Sequence, residues 1–467
     1  MFTQRRYGTS FPGNMALGAA QNESWSEEAS YASARELQAL GINIDFAPVV
    51  DVNVNPNNPI VGIRSFGENS KEVAKHARRA TRGYLRGGVF PVPKHFPGHG
   101  DTHVDSHGGL PVIQKTLSEM LCQELLPFKA SISAGAPLMM SAHILFPRLD
   151  LKYPATFSKK ILGDLLRQKL GFNGVVVSDG LDMGAIANQY DIGKACVLAL
   201  EGGCDLLLIG TADFRAAFQA VLVAVRSGRL SGTRVHEAFL RVAALKKRIL
   251  GGVTPAIRKP GSRLNESLDS GFRRNDGFTR LEKNRELAER IAEQSVTLLR
   301  DENALLPLSL NKKETLLFIS LCPPQFASEK NYFMSQLRRR HRLTRVFDLK
   351  NESPALFDQV FRQAGKADCL VIGTFSWGNL PTARCIRFVQ KLLKAQKRAV
   401  LVSLMNPYDL VHYPEAKTVV STYGVTRPAF ESTTKLLFGE IIPRGRLPVS
   451  IPGAFSKGAG LNHFNRR

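Results

Sequence analysis

The sequence predicts an α/β protein, with a (β/α)8 TIM-type barrel first and a smaller αβα open-sheet domain after it. Three observations lead there. Helix-like and strand-like patterns alternate from about residue 23 to 250, as they do when a parallel sheet is built with helical crossovers. Polar residues stand just past the C-terminal ends of several apolar runs. A turn-rich, aperiodic stretch then precedes a second, shorter α/β alternation.

Taken in order, the helix-like stretches of the first part cover residues 23–40, 71–86, 118–133, 158–170, 214–226 and 234–249. Gly41, Gly87, Gly88 and Gly171 follow three of them, where glycine commonly ends a helix in a conformation other residues avoid. The apolar runs between them are 44–50, 89–93, 137–142, 175–178 and 205–209. Five strands are visible, where a closed barrel has eight. Asp51, Lys94-His95, Ser141 to His143 and Ser178-Asp179 each follow one of these runs. In a barrel the active site is assembled at that rim from the ends of several strands. An open sheet would gather its ligand at a single switch point instead. Four separate polar ends therefore favour the barrel.

Residues 251–283 read as a linker or insertion without fixed structure: Gly251-Gly252, Pro255 and Pro260-Gly261 lead into a charged segment with no hydrophobic period. From 284 to 467 a helix at 284–293 and strands at 296–299, 316–321, 369–373, 399–404 and 418–421 describe the second domain. The first domain accordingly spans 1–250. No Walker loop and no Gly-x-Gly-x-x-Gly after a strand is present, so nucleotide binding has no support.

Composition bounds the function. The 467 residues carry 63 Lys+Arg against 40 Asp+Glu, a formal charge of +23, which attracts polyanions in general. The basic residues are dispersed apart from Arg338-Arg339-Arg340-His341-Arg342. That cluster reads as a solvated helix end, and specific nucleic-acid binding is not expected. No apolar run reaches the ~18 residues of a membrane span. The six cysteines form no Cys-x-x-Cys pair, which suits free thiols in a reducing compartment rather than a zinc site. No apolar stretch of the secretory kind follows Met1 to Tyr7. The expected location is cytoplasmic, with no metal and no cofactor.

Two segments can carry chemistry. Lys94 to Gly109 holds four of the ten histidines, His95, His99, His103 and His107, and the carboxylates Asp101 and Asp105. A spacing of four would line one helix face as in a metal site, but Pro97, Gly98 and Gly100 break such a helix. The alternatives are a loop with no function and an active-site loop in which Asp105 and His107 pair, one fixing the tautomer of the other. The second segment, Gly174 to Met183, is an apolar strand ending in Asp179-Gly180. Asp179 either projects into the mouth of the barrel or caps the next helix. A carboxylate at the rim with an Asp/His pair nearby suits glycoside cleavage, with one nucleophile and one proton donor.

Lys94 to His107 (KHFPGHGDTHVDSH), Arg64 to Gly67 (RSFG), Phe11 to Met15 (FPGNM), Val177 to Met183 and Arg444 to Pro452 (RGRLPVSIP) resemble family 3 glycoside hydrolases, in particular their β-N-acetylglucosaminidase branch. The resemblance implies a retaining exo-enzyme that removes terminal β-linked N-acetylglucosamine, typically from peptidoglycan fragments, through a covalent glycosyl-enzyme. It implies Asp179 as nucleophile, His107 as acid/base and Asp105 as its orienting partner. Arg64, Lys94 and His95 match residues that hydrogen-bond sugar hydroxyls. A family motif that supplies a sugar-binding aspartate would fall before Phe11, so the resemblance also implies that the first strand or strands are missing. An inactive remnant or sugar-binding protein and a phosphate-dependent variant are the alternative readings.

Overall fold

The computed structural model describes residues 8–252, 274–349, 353–377 and 381–465. The chain divides into two compact units, Glu23–Val61 with Asn69–Arg280 and Met1–Asn22 with Gly62–Glu68 and Leu281–Arg467. Both mix parallel sheet with helices.

In the first of these units five strands run in chain order: β1 (Ile44–Asp45), β2 (Phe90–Pro91), β3 (Leu138–Met140), β4 (Val175–Gly180) and β5 (Leu206–Leu208). β1 pairs with β2, and β3, β4 and β5 pair with each other, all parallel. A parallel bridge between Phe96 and Ser141 carries the pairing from the chain after β2 to the chain after β3. Spatial order equals sequence order throughout, so this wall contains no switch point of the doubly wound kind.

Side chains alternate across the wall. Met139 and Val176 pack outward with Phe128, Phe157 and Leu162 of the crossover segments. Leu138, Met140, Val175 and Val177 face the other way and bury themselves with Val92 and Leu245. Leu245 belongs to the helix Gly232–Gly252, so the last helix of the unit covers the inner face of the strands. Each such fully buried aliphatic side chain contributes about 1.5–3 kcal/mol. The β4–β5 register is irregular between Val177 and Gly180, where Asp179 follows the apolar cluster. The wall is greasy at its N-terminal half and polar at its C-terminal end.

Several expectations shift in detail. The helix expected at 118–133 is two, Leu117–Cys122 and Leu125–Ser133. Between them Gln123 leaves helical geometry and Glu124 buries its carboxylate against Lys115. The stretch expected at 158–170 is a π-helix, Lys160–Lys169. All six cysteines are free thiols and five are buried, Cys122 being exposed.

The second unit carries a six-stranded sheet in the order β6 (Thr297–Asp301), β11 (Thr418–Ser421), β10 (Ala399–Ser403), β9 (Cys369–Thr374), β7 (Leu316–Ser320) and β8 (Thr344–Asp348). Only the β6–β11 pair is antiparallel. β8 was not among the expected strands. Its helix Arg274–Ser295 starts inside the stretch expected to be linker, and residues 253–273 of that stretch lie outside the described residues. Arg340 is not a solvated helix end: it is mostly buried between Glu431, at 2.8 Å, and Glu440. Three of the sequence segments singled out above meet in this unit. Gly18 packs so closely on the Phe66 carbonyl that a Cβ would lie 1.9 Å from its oxygen. Arg446 N–H donates to Ala19 O at 2.9 Å, and Ser450 N–H and Oγ–H donate to the Glu68 carboxylate at 2.6 and 2.7 Å.

Candidate active site

The site is assembled where the strands of the first unit end. Asp179 closes β4. Its Oδ1 accepts the Gly180 N–H at 2.9 Å, and its Oδ2 lies 3.9 Å from Nε2 of His95. Burial pushes this carboxyl up, but His95, His143, the Gly180 N–H and Lys94 outweigh it and hold Asp179 below the ordinary carboxylate range. The result is a largely buried anion with one side-chain edge open, the state required of a nucleophile. The helix-capping alternative fails. The helix after β4, Gly184–Ala187, has Met183 at its cap and no side-chain capping bond.

Lys94 and His95 reach this place because the chain after β2 continues beside the chain after β1: Val50 N–H donates to Lys94 O at 2.9 Å. The Lys94 ammonium sits 5.9 Å from the centre of the Phe46 ring. Behind His95 stands Asp51, with no exposed surface. Its Oδ2 is 2.8 Å from His95 Nδ1, and its Oδ1 accepts the backbone N–H groups of His95 and His99 at 3.1 and 2.8 Å.

His143, at the end of β3, is buried behind Gly180. Its Nε2 lies 2.9 Å from Gly180 O and its Nδ1 lies 2.8 Å from Thr156 Oγ1. Burial pulls its pKa down against the raising influence of Asp179 and the Gly180 carbonyl. The Gly180 carbonyl can only accept, so Nε2 carries the proton donated to it. His143 thereby fixes the peptide next to Asp179.

Asp105 and His107 come together on the loop that follows. Asp105 Oδ1 lies 2.7 Å from His107 Nδ1 and accepts the His107 backbone N–H at 2.9 Å. Burial raises the Asp105 carboxyl, but the two His107 contacts more than offset this and hold it below its ordinary value. Both side chains are open to solvent, 61% for His107 and 41% for Asp105. With Nδ1 engaged, Nε2 is the nitrogen free to exchange a proton. The loop is docked on the chain just beyond Asp179. Gly184 N–H donates to His107 O at 3.1 Å, Ala185 N–H to Ser106 O at 3.0 Å, and Asn188 Nδ2–H to Gly108 O at 3.2 Å.

The remaining histidines of the segment diverge. His99 bonds Thr102 Oγ1 at 3.0 Å and Ser106 Oγ at 3.2 Å, while His103 lies 3.1 Å from Asn55 Nδ2. Each of the four has its own partner, and among the described residues no cluster of three ligating side chains is present. Arg64 belongs to the other compact unit, where it ends the turn Gly62–Arg64 and its carbonyl accepts from Asn14 Nδ2 at 2.7 Å. Asp51 and His143 were visible only as polar residues after apolar runs; nothing in the sequence says what they hold.

The N-terminal domain of glycosyl hydrolase family 3 matches residues 2–245. The chain belongs to that family. It is a glycoside hydrolase. It is 29% identical to β-hexosaminidase A of Pseudoalteromonas piscicida across 96% of this chain and 80% of that protein. Its structure is similar to a family 3 β-N-acetylglucosaminidase from Paenibacillus, with 32% identity, a TM-score of 0.83, and 95% and 83% of the two chains covered. It is also similar to a fungal multi-domain β-N-acetylglucosaminidase of family 3, with 33% identity and a TM-score of 0.87. There the match covers 96% of this chain and 51% of the other, so the chain spans about half of that longer protein.

Proposed function

We propose that this family 3 chain is a retaining exo-β-N-acetylglucosaminidase acting on terminal β-linked N-acetylglucosamine of peptidoglycan-derived fragments. The observation that carries the reading is the pairing of an ionised carboxylate, Asp179, with a solvent-facing Asp105–His107 couple docked five residues beyond it through Gly184. The sequential wall of five parallel strands supports a barrel of the (β/α)8 type in the unit formed by Glu23–Val61 and Asn69–Arg280, rather than in the continuous stretch 1–250.

Two displacements follow from the roles. In the first, an Asp179 carboxylate oxygen forms a bond to the anomeric carbon as the bond to the leaving oxygen breaks, and His107 gives that oxygen its Nε2 proton. In the second, neutral His107 takes a proton from water while the water oxygen attacks the anomeric carbon and Asp179 leaves as carboxylate. Asp105 holds the Nδ1 proton through both and balances the imidazolium. In this reading Lys94 and His95 bind sugar hydroxyls beside Asp179. A histidine in the acid role brings no negative charge towards an anionic fragment, and the net charge of +23 acts in the same direction.

The test is hydrolysis of an aryl β-N-acetylglucosaminide by the full chain, beside Asp179→Asn and the matching β-glucoside, with and without phosphate. Turnover of the N-acetyl substrate, independent of phosphate and reduced on the order of 10⁴-fold in the variant, supports the reading. Full activity of the variant, or a requirement for phosphate, overturns it.

A further inference from the structure

We propose that Asp51 is a positioning residue that holds the His95 ring in its doubly protonated form, with the Nε2–H aimed at Asp179. The importance of this for turnover rests on the function proposed above; the state of the ring does not.

The geometry around His95 is asymmetric. Asp51 is fully buried, and a buried carboxylate must spend its lone pairs on donors. It spends Oδ1 on two backbone N–H groups, those of His95 and His99, and Oδ2 on His95 Nδ1 at 2.8 Å. That contact requires a proton on Nδ1. The opposite nitrogen, Nε2, then has two possible states. As a lone pair it would point at the Asp179 carboxylate, 3.9 Å away, and repel it. As N–H it attracts it. One imidazole between two carboxylates is therefore stabilised as the cation.

Among the described residues, other charged or titratable groups near the ring are Lys94, which precedes it in the chain, His99, whose ring lies edge-on at 5.5 Å, and His143, beyond the end of β3. Lys94 opposes the charge on His95, and burial pulls the pKa of His143 down. Two anions in contact distance outweigh one ammonium.

Asp51 also links the two halves of the site. The His99 whose backbone it holds bonds Ser106 Oγ at 3.2 Å, and Ser106 adjoins His107. Asp51→Asn keeps an oxygen for the two backbone N–H groups and replaces only the Oδ2 acceptor with an amide N–H donor. That donor requires a lone pair on Nδ1 and leaves a neutral Nε2–H ring.

Side-chain nitrogen NMR of the full chain labelled at histidine tests this directly, with His95 assigned by the signal lost in His95→Gln. Both His95 nitrogens should be protonated at pH 7.5 in the wild type, and only Nε2 in Asp51→Asn. A neutral His95 in the wild type, or a spectrum unchanged by Asp51→Asn, overturns the proposal. The wild-type spectrum decides even if the variant does not fold. In kinetics Asp51→Asn should lose more kcat/KM, relative to wild type, above neutral pH than below it, because His95 is then cationic only at lower pH. An equal loss at every pH would make Asp51 merely structural. A chain without glycosidase activity but with a cationic His95 would refute the proposed function and leave this inference standing.

Discussion

Gly184 is the point at which the reactive loop can be disturbed without touching a reacting group. It donates its N–H to His107 O at 3.1 Å, and a Cβ built on it would lie 2.4 Å from that same oxygen. Real Cβ atoms essentially never come within 3.0 Å of a neighbour. In Gly184→Ala the His107 carbonyl must therefore retreat from 2.4 Å to no less than 3.0 Å, a movement of at least about 0.6 Å, and misplacements approaching 1 Å cost about 10²-fold in rate. The His107 N–H, one peptide earlier, is the group that Asp105 accepts at 2.9 Å, so a shift of the carbonyl is passed to the couple. Kcat/KM should fall roughly 10–100-fold, and further for alkyl than for aryl leaving groups, because only the former need the full proton. Overpacking of this kind costs about 1–3 kcal/mol in folding, small enough for the variant to be assayed as a folded enzyme. The assay is a comparison of aryl and alkyl β-N-acetylglucosaminides at matched pH, with a circular dichroism melt as control. A folded variant with unchanged rates on both would refute the claim that Gly184 sets the position of His107.

Two further predictions follow. His107→Ala should lose about 10²–10⁴-fold on poor leaving groups and far less on good phenolates; equal losses on both would argue against an acid role. In the second unit Asp409 is fully buried, accepts from Ser403 Oγ–H at 2.8 Å, and is pushed up to about 6, first by burial, against the hydrogen bonds of Thr374 and Ser403. Its folded value exceeds the unfolded one of about 3.9, so it contributes stability that is complete below pH ~4 and lost as pH rises through 6, about 3 kcal/mol in all. Asp409→Asn should flatten that slope, so that its melting temperature relative to wild type is higher at pH 7.5 than at pH 4.5; parallel curves would refute the assignment.

What the sequence showed and what it hid divide along a physical line. The apolar run ending in Asp179-Gly180 is local and marked Asp179 as a strand-end carboxylate, but it left open whether the side chain projects or caps the next helix; only the structure decides that. Asp105 and His107 are two residues apart, so their contact was legible too. Asp51 and His95 are 44 positions apart, and only the parallel pairing of two strands makes them neighbours. No spacing in the chain announces it. The strand Thr344–Asp348 escaped for a related reason: it is an edge strand, largely half-buried, and its mixed Thr-Arg-Val-Phe-Asp pattern lacks the apolar run that marks the inner strands. The break at Gln123 escaped because a tertiary contact, Lys115 with Glu124, overrides a segment whose propensities are helical throughout.

The two halves of the site are built with opposite solvent exposure, and the proposed chemistry explains why each suits its task. The Asp179 half is held by strands and buried hydrogen bonds, through Asp51, His95 and His143. A nucleophile that must stay ionised while largely desolvated needs fixed partners, because in a low-dielectric surrounding any reorientation of those partners is expensive. The His107 half hangs on a loop by three hydrogen bonds from Gly184, Ala185 and Asn188, each worth about 1 kcal/mol, with its imidazole mostly in water. An acid/base has to surrender a proton in one step and recover one from a water molecule in the next. Exposure gives it that water. A glutamate in the same exposed place would be almost wholly ionised at neutral pH and thus short of the proton the first step consumes. The choice of histidine on a solvated loop and of aspartate on a buried strand end is one design, in which the residue that must keep its charge is enclosed and the residue that must change it is left open.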